Sequence, residues 1–242
     1  MTRTLRTPPK TQQVVDIDPR GKSFVLHTLC ATIMINGFLA LDQLALNAYM
    51  QSQYGGLWQF LTNLGLIAST ATMLFAAASD LLPAIPFLRA IKRSLLLLAL
   101  PVEFIVAAIY WPIILFAPHL MLPPHPDQST GPEPSSDPSA ALFYIPLWMD
   151  LSIHALPAAA LLFDFMFLER KYTRPASTVG APVLAVAAGT AYATWVEHCA
   201  KINGKFPYPF LTLSNFPGRI AIYVGAVFSA LMVFWGLNKV HR

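Results

Sequence analysis

Six apolar stretches, each long enough to cross a bilayer, run through this chain at about 24–46, 57–80, 94–117, 144–168, 177–199 and 218–238. A helix needs roughly 20 apolar residues to span the hydrocarbon layer. Inside that layer every backbone N–H and C=O must find its partner within the protein, which holds such segments to the α-helix. The second stretch, Leu57 to Ser79, and the fifth, Pro175 to Val196, carry no charge at all. Only 12% of the 242 residues are charged, against about a quarter in soluble domains. The stretches fill more than half of the chain and leave no room for a separate soluble domain. The expected architecture is an all-α membrane protein, a bundle of six transmembrane helices over 24–238, between a polar, basic tail at 1–23 and a short tail at 239–242.

The charges between the stretches predict an orientation. Thirteen of the 16 Lys and Arg residues fall on one side of such a bundle. Arg3, Arg6, Lys10, Arg20 and Lys22 are in the N-terminal tail. Arg89, Lys92 and Arg93 follow the second stretch, and Arg170, Lys171 and Arg174 follow the fourth. Lys239 and Arg242 end the chain. The other side has Lys201, Lys205 and Arg219. By the positive-inside rule both termini are expected in the cytosol, in the endoplasmic reticulum or the plasma membrane. The net charge of +4 does not point to nucleic acid, because the basic residues sit in connectors and not on one continuous surface. The first 23 residues lack a signal-peptide core, so the first stretch reads as an uncleaved signal anchor. Asp16 and Asp18 count against a mitochondrial transit peptide. Cys30 and Cys199 fall at different depths and imply no disulfide.

Most connectors are short and favour antiparallel neighbours. The exception is the outer connector at about 118–143, whose Pro, Ser and acidic residues read as extended or disordered chain. His119 and His125 within it lack a third ligand nearby and read as solvated, so no metal is expected. No cofactor is expected either. Haem would need His residues on facing helices at matched depth, and His27, His154 and His198 fall at three different depths. Tyr49, Tyr54, Trp58, Trp111, Tyr144, Trp148, Trp195 and Tyr208 gather at the outer ends of the stretches, where an interfacial aromatic belt is expected. Gly55-Gly56, ahead of Trp58, permit a tight turn into the second span.

Ionisable groups inside a membrane are costly and face the bundle interior. Glu103, Asp164 and His27 lie away from the outer half and read as paired or snorkelling residues. Glu197 and His198 fall near the outer surface, and Asp42 near an end of the first span. The fourth span is the richest, with Asp150 and His154 four residues apart on one helix face. A carboxylate one turn from an imidazole can fix its tautomer and raise its basicity, the orienting role in a hydrolytic triad. The plainer reading is that His154 hydrogen-bonds a neighbouring helix. In the second span Thr62, Gly65, Ser69 and Thr72 share a face. Small polar residues of this kind let helices pack closely, and an intramembrane Thr ordinarily bonds its own preceding carbonyl. By depth, contacts of Thr62 with His154 and with Asp150 are both open.

Three motifs carry a family resemblance. Gly55-Gly-x-Trp58-x-Phe60-Leu-Thr62 resembles the Thr-bearing motif of the androgen-induced gene family, which includes the androgen-dependent regulator of tissue factor pathway inhibitor. The segment around His154, with Pro157 following, resembles the family's His-bearing helix. Gly204-x-Phe206-x-Tyr208-Pro209-Phe210-Leu211 is similar to a third, with Phe206 where the family typically has Trp. Tyr110-Trp111 fits as well. The resemblance runs from about 24 to 238. It implies an intramembrane hydrolase of fatty acid esters of hydroxy fatty acids, with Thr62 as nucleophile and His154 as base. The long outer connector and the acids Glu103 and Asp164 depart from the animal pattern. A membrane lipid is the implied substrate, and protein partners are not specified. The oxyanion formed on attack would need a donor, for which Asn63, Gln59 and Asn36 are candidates. The other readings are a non-catalytic six-helix protein that binds lipid or a partner, and a small-solute or proton transporter using Asp150 and His154. The lack of inverted repeats and broken-helix signals weakens the transporter reading.

Overall fold

Pro residues open most of the helices of this chain. They stand in the first turn, where a backbone N–H has no intrahelical partner and the fixed φ suits the helix. The computed structural model describes residues 19–122 and 144–241. Nine α-helices follow one another there: α1 (Pro19–Ala40), α2 (Ala45–Ser52), α3 (Leu61–Leu81), α4 (Pro86–Phe116), α5 (Leu147–His154), α6 (Leu156–Phe163), α7 (Ala181–Asn203), α8 (Pro209–Thr212) and α9 (Phe216–Val240). There is no strand among the described residues. The N-terminal tail to residue 18, the Pro-rich 123–143 segment with His125, and Arg242 lie outside them.

Five helical segments are long and apolar enough to cross a membrane: Arg20–Gln43, Leu61–Leu81, Pro86–Phe116, Ala176–Asn203 and Phe216–Val240. A bent pair, Leu147–His154 and Leu156–Leu168, makes a sixth when taken as one span. Its 41° bend has a cause in the sequence. Pro157 brings no N–H to the Ile153 carbonyl, and its ring crowds the preceding turn. The Trp111 indole donates to the His154 carbonyl at 3.3 Å beside this break.

Two boundaries differ from the hydropathy pattern. The third span begins at Pro86, not near 94, so Arg89, Lys92 and Arg93 lie on α4 and not in a connector. Glu169 makes this possible, accepting from Arg93 at 2.6 Å, Lys92 at 2.8 Å and Arg89 at 3.2 Å. The second span begins at Leu61, because Gly55 and Gly56 take φ of 87° and 47° and residues Gly56–Gln59 form a 3-10 turn ahead of it.

The core lies among α1, α3, α4, α5 and α6, with Met34, Leu66, Leu96, Leu161 and Phe165 buried at its centre. The small face of α3 is the reason α4 comes so close. A Cβ on Gly65 would fall 2.6 Å from Glu103 Oε1. Ser69 and Thr72 return their hydroxyls to carbonyls of α3 itself, Gly65 O at 2.8 Å and Ala68 O at 2.7 Å. By contrast, the apolar windows of α7 and α9 are only 11% buried, which leaves most of their surface to face lipid.

Below this core the intramembrane charges are paired. His27 lies between two carboxylates, Nδ1 2.7 Å from Asp80 Oδ2 and Nε2 3.0 Å from Asp164 Oδ1. Lys92 Nζ is 2.7 Å from Asp164 Oδ2. His27 and Asp164, each expected to be paired or snorkelling, are paired, and with one another. Glu103 receives the Ser69 hydroxyl at 3.2 Å, and its other oxygen has no partner among the described residues.

Candidate functional site

The i,i+4 spacing on α5 does what helix geometry requires. His154 Nδ1 lies 2.6 Å from Asp150 Oδ1. The same oxygen accepts the Tyr110 hydroxyl from α4, also at 2.6 Å. A carboxylate oxygen can only accept, so the imidazole carries its proton on Nδ1 and leaves the Nε2 lone pair free. Nε2 makes no hydrogen bond to any described residue. The Tyr110 ring lies flat on the imidazole, centroids 3.5 Å apart and planes within 7°. All three side chains are buried. The imidazole is thus oriented, its tautomer set by one carboxylate and its plane by one ring.

Thr62 stands in the first turn of α3, beside a cavity of about 160 Å³ between α3, α4, α7 and α9. The first N–H groups of a helix lack intrahelical partners and carry partial positive charge. Here the Leu61 N–H is received by the Tyr208 hydroxyl at 2.9 Å, and the same hydroxyl is hydrogen-bonded to the Thr62 side chain and to Tyr192. Burial pushes the Tyr208 phenol up from its ordinary pKa, so it stays neutral and acts as a hydrogen-bonding group, not as a base. Tyr208 is carried by the connector between α7 and α9, which Arg219 ties down through two bonds to Glu197, at 2.6 and 3.0 Å, and one to the Ser214 carbonyl at 2.9 Å. The cavity is otherwise lined by apolar side chains.

No hydrogen bond joins Thr62 to His154 or to Asp150 among the described residues. The two halves meet through Tyr110, which lines the cavity with Thr62 and also covers His154. Of the oxyanion candidates, Asn63 gives its amide to the Leu57 carbonyl at 2.9 Å. Gln59 gives its own to Gln53 Oε1 and the Gly56 carbonyl, both at 3.1 Å. Asn36 bonds the Thr32 carbonyl of its own helix at 2.8 Å and is exposed. His198 packs edge-on against Tyr54, 5.4 Å between centroids, away from the cavity. Tyr110, Tyr192 and Tyr208 were not singled out as site residues by sequence reasoning. For Tyr110 and Tyr208 a signal was present, since both belong to motif matches. Tyr192 offered none.

These pieces sit in a chain that matches a family model described as FAR-17a/AIG1-like protein over residues 22–242. The chain belongs to this family. A relative in Schizosaccharomyces pombe (strain 972), a UPF0641 membrane protein, is 28% identical over 223 residues, covering 92% of this chain and 91% of that protein. No solved structure matches the chain. As a FAR-17a/AIG1-like protein, the chain carries both the Thr62 and His154 segments inside the matched region.

Proposed function

We propose that this FAR-17a/AIG1-like protein is an intramembrane lipid ester hydrolase, acting on fatty acid esters of hydroxy fatty acids. The observation that carries the reading is the cavity. It is apolar along most of its wall, and Thr62 is held at its hydroxyl-bearing end, where the N–H groups of α3 begin. Thr62 Oγ1 attacks the ester carbonyl carbon and gives its proton to His154 Nε2. The carbonyl oxygen becomes an oxyanion, to which the Tyr208 hydroxyl donates. The C–O bond breaks, and the hydroxy fatty acid leaves with the proton from His154. Water then attacks the acyl-threonine, again with His154 as base, and releases the fatty acid.

Thr62 and His154 make no hydrogen bond to one another among the described residues. Catalytic hydrogen bonds often tighten only when substrate is bound, and Tyr110 is the side chain that would have to give way. The orientation follows from the charges: six crossings bring both termini to one side, and the basic majority puts that side in the cytosol.

The separation of Thr62 from His154 favours one other reading, a non-catalytic lipid-binding regulator that uses the same cavity. A fluorophosphonate probe distinguishes the two. The hydrolase becomes labelled on Thr62, and Thr62→Ala abolishes the label. A binder is not labelled, or is labelled equally in the variant.

A further inference from the structure

The cavity is long, with hydroxyls at one end and a buried aromatic ring at the other. Its α4 wall runs from Leu97 to Tyr110, and its α9 wall from Ile222 to Phe234. At 1.5 Å of rise per residue these are about 18–20 Å. The hydroxyls of Thr62, Tyr192 and Tyr208 all lie at the Tyr110 end. At the other end stands Phe234, 1% exposed, and it is backed by a rigid support. Tyr172 packs edge-on against it at 5.7 Å. The Tyr172 hydroxyl is bonded to the Arg93 carbonyl at 2.6 Å, and its backbone is clasped from both sides by Asn238, at 2.9 and 3.0 Å. The α7 wall is kept open by small residues, Ala181, Ala185 and Ala188, at helical spacing on one face.

From this we infer that the cavity is a gauge for the length of one acyl chain, with Phe234 as its stop and Ala185 as the residue that sets its free depth. The inference rests on the hydrolase reading for the end at which the ester sits, but the gauge is a property of the cavity itself. A chain lies with its carbonyl at Thr62 and its methyl end toward Phe234. A chain too short leaves the far wall without contacts, and a chain too long meets a floor that Tyr172 does not allow to yield. A bulky side chain at Ala185 shortens the cavity from the side. A small one at 234 deepens it.

The test uses the purified full chain in detergent, with esters of one hydroxy fatty acid whose acyl groups range from hexanoyl to stearoyl. Ala185→Phe shifts the preferred acyl group to shorter chains, and Phe234→Ala shifts it to longer ones. The ratio of kcat/KM for long over short chains changes by roughly tenfold or more in each direction, as pocket size does for a methylene-scale misfit. The Ala185→Phe arm stands alone if the Phe234→Ala protein does not fold. An unchanged chain-length profile in an active Ala185→Phe protein overturns the gauge and leaves the hydrolase reading intact. If the wild-type protein hydrolyses none of the esters, the hydrolase reading fails, and the gauge is read from the fatty acyl chains that co-purify. Shorter chains retained by Ala185→Phe than by wild type sustain it. Identical chains, or none in either protein, overturn it.

Discussion

Tyr110 and His154 lie face to face, 3.5 Å apart and within 7° of parallel, and both bond the same oxygen of Asp150 at 2.6 Å. One carboxylate therefore orients the imidazole and holds the ring that covers it. Tyr110→Phe keeps the stack and removes one bond. It is expected to lower kcat several-fold with KM unchanged, and to destabilise the protein by about 1–3 kcal/mol. Steady-state kinetics with thermal unfolding in detergent checks both. A loss of activity as large as that of an Asp150 variant would give Tyr110 a larger role than positioning.

Asp150→Asn keeps the shape of the side chain and offers an amide in place of a carboxylate. An amide that donates to Nδ1 favours the tautomer with Nε2 protonated, which cannot accept a proton from Thr62. The expected loss in kcat is about 100- to 10,000-fold, with KM little changed. An unaltered kcat would assign Asp150 to packing.

Lys92 is buried between Asp164 and Glu169. Lys92→Met fits the space but takes the buried cation from between two carboxylates, leaving Asp164 with His27 and Glu169 with Arg89 and Arg93, and breaking a buried pair from one side costs about 3–5 kcal/mol. Chemical denaturation in mild detergent is expected to show a loss of that size. A loss below about 1 kcal/mol would mean that Arg89 and Arg93 suffice.

Glu169 gives this network a pH dependence. Burial by itself would raise its pKa, but Lys92, the Arg170 N–H and Arg93 outweigh that and bring it from 4.5 to about 2. A carboxyl depressed on folding contributes stability that is present above its unfolded value and is lost as the pH falls through its folded one. Stability from this group is therefore flat from pH 7 to about 5 and declines from there toward pH 2. Glu169→Gln should remove that part of the decline in an acid titration followed by thermal unfolding.

Hydropathy made the spans legible, because a membrane helix declares itself by length and apolarity alone. It failed at the start of α4, where Arg89, Lys92 and Arg93 read as a connector. What brings them into the helix is Glu169, some 76 to 80 residues away, and local pattern cannot show that. In the site, the Asp150–His154 bond is local to one helix turn and could be read from spacing. The bond between Leu61 N–H and Tyr208 crosses 147 residues, and the Tyr110–Asp150 bond crosses 40. Both depend on how the helices pack, so only motif resemblance pointed to that end of the cavity. The expectation of a chain without broken-helix signals fails at Pro157, where the fourth span bends by 41° with His154 at its corner.

Orientation is open to direct chemistry. A cysteine placed at His119, which is exposed, is expected to react with a membrane-impermeant maleimide only from the non-cytosolic side, while the native Cys30 and Cys199 are buried. Labelling of His119→Cys from the cytosolic side would invert the topology.

The central claim is that Thr62 and His154 act as one unit, and hydrolysis of a branched fatty acid ester by single and double variants tests it most directly. Thr62→Ala and His154→Ala should each lower kcat by about 1,000-fold or more, and the double variant should be little worse than either, because residues of one unit give non-additive losses. Thr62→Ser, which keeps the hydroxyl, should retain measurable activity. A Thr62→Ala protein that hydrolyses the ester at the wild-type rate would contradict the account, and the hydroxyl end of the cavity would then belong to a lipid-binding protein.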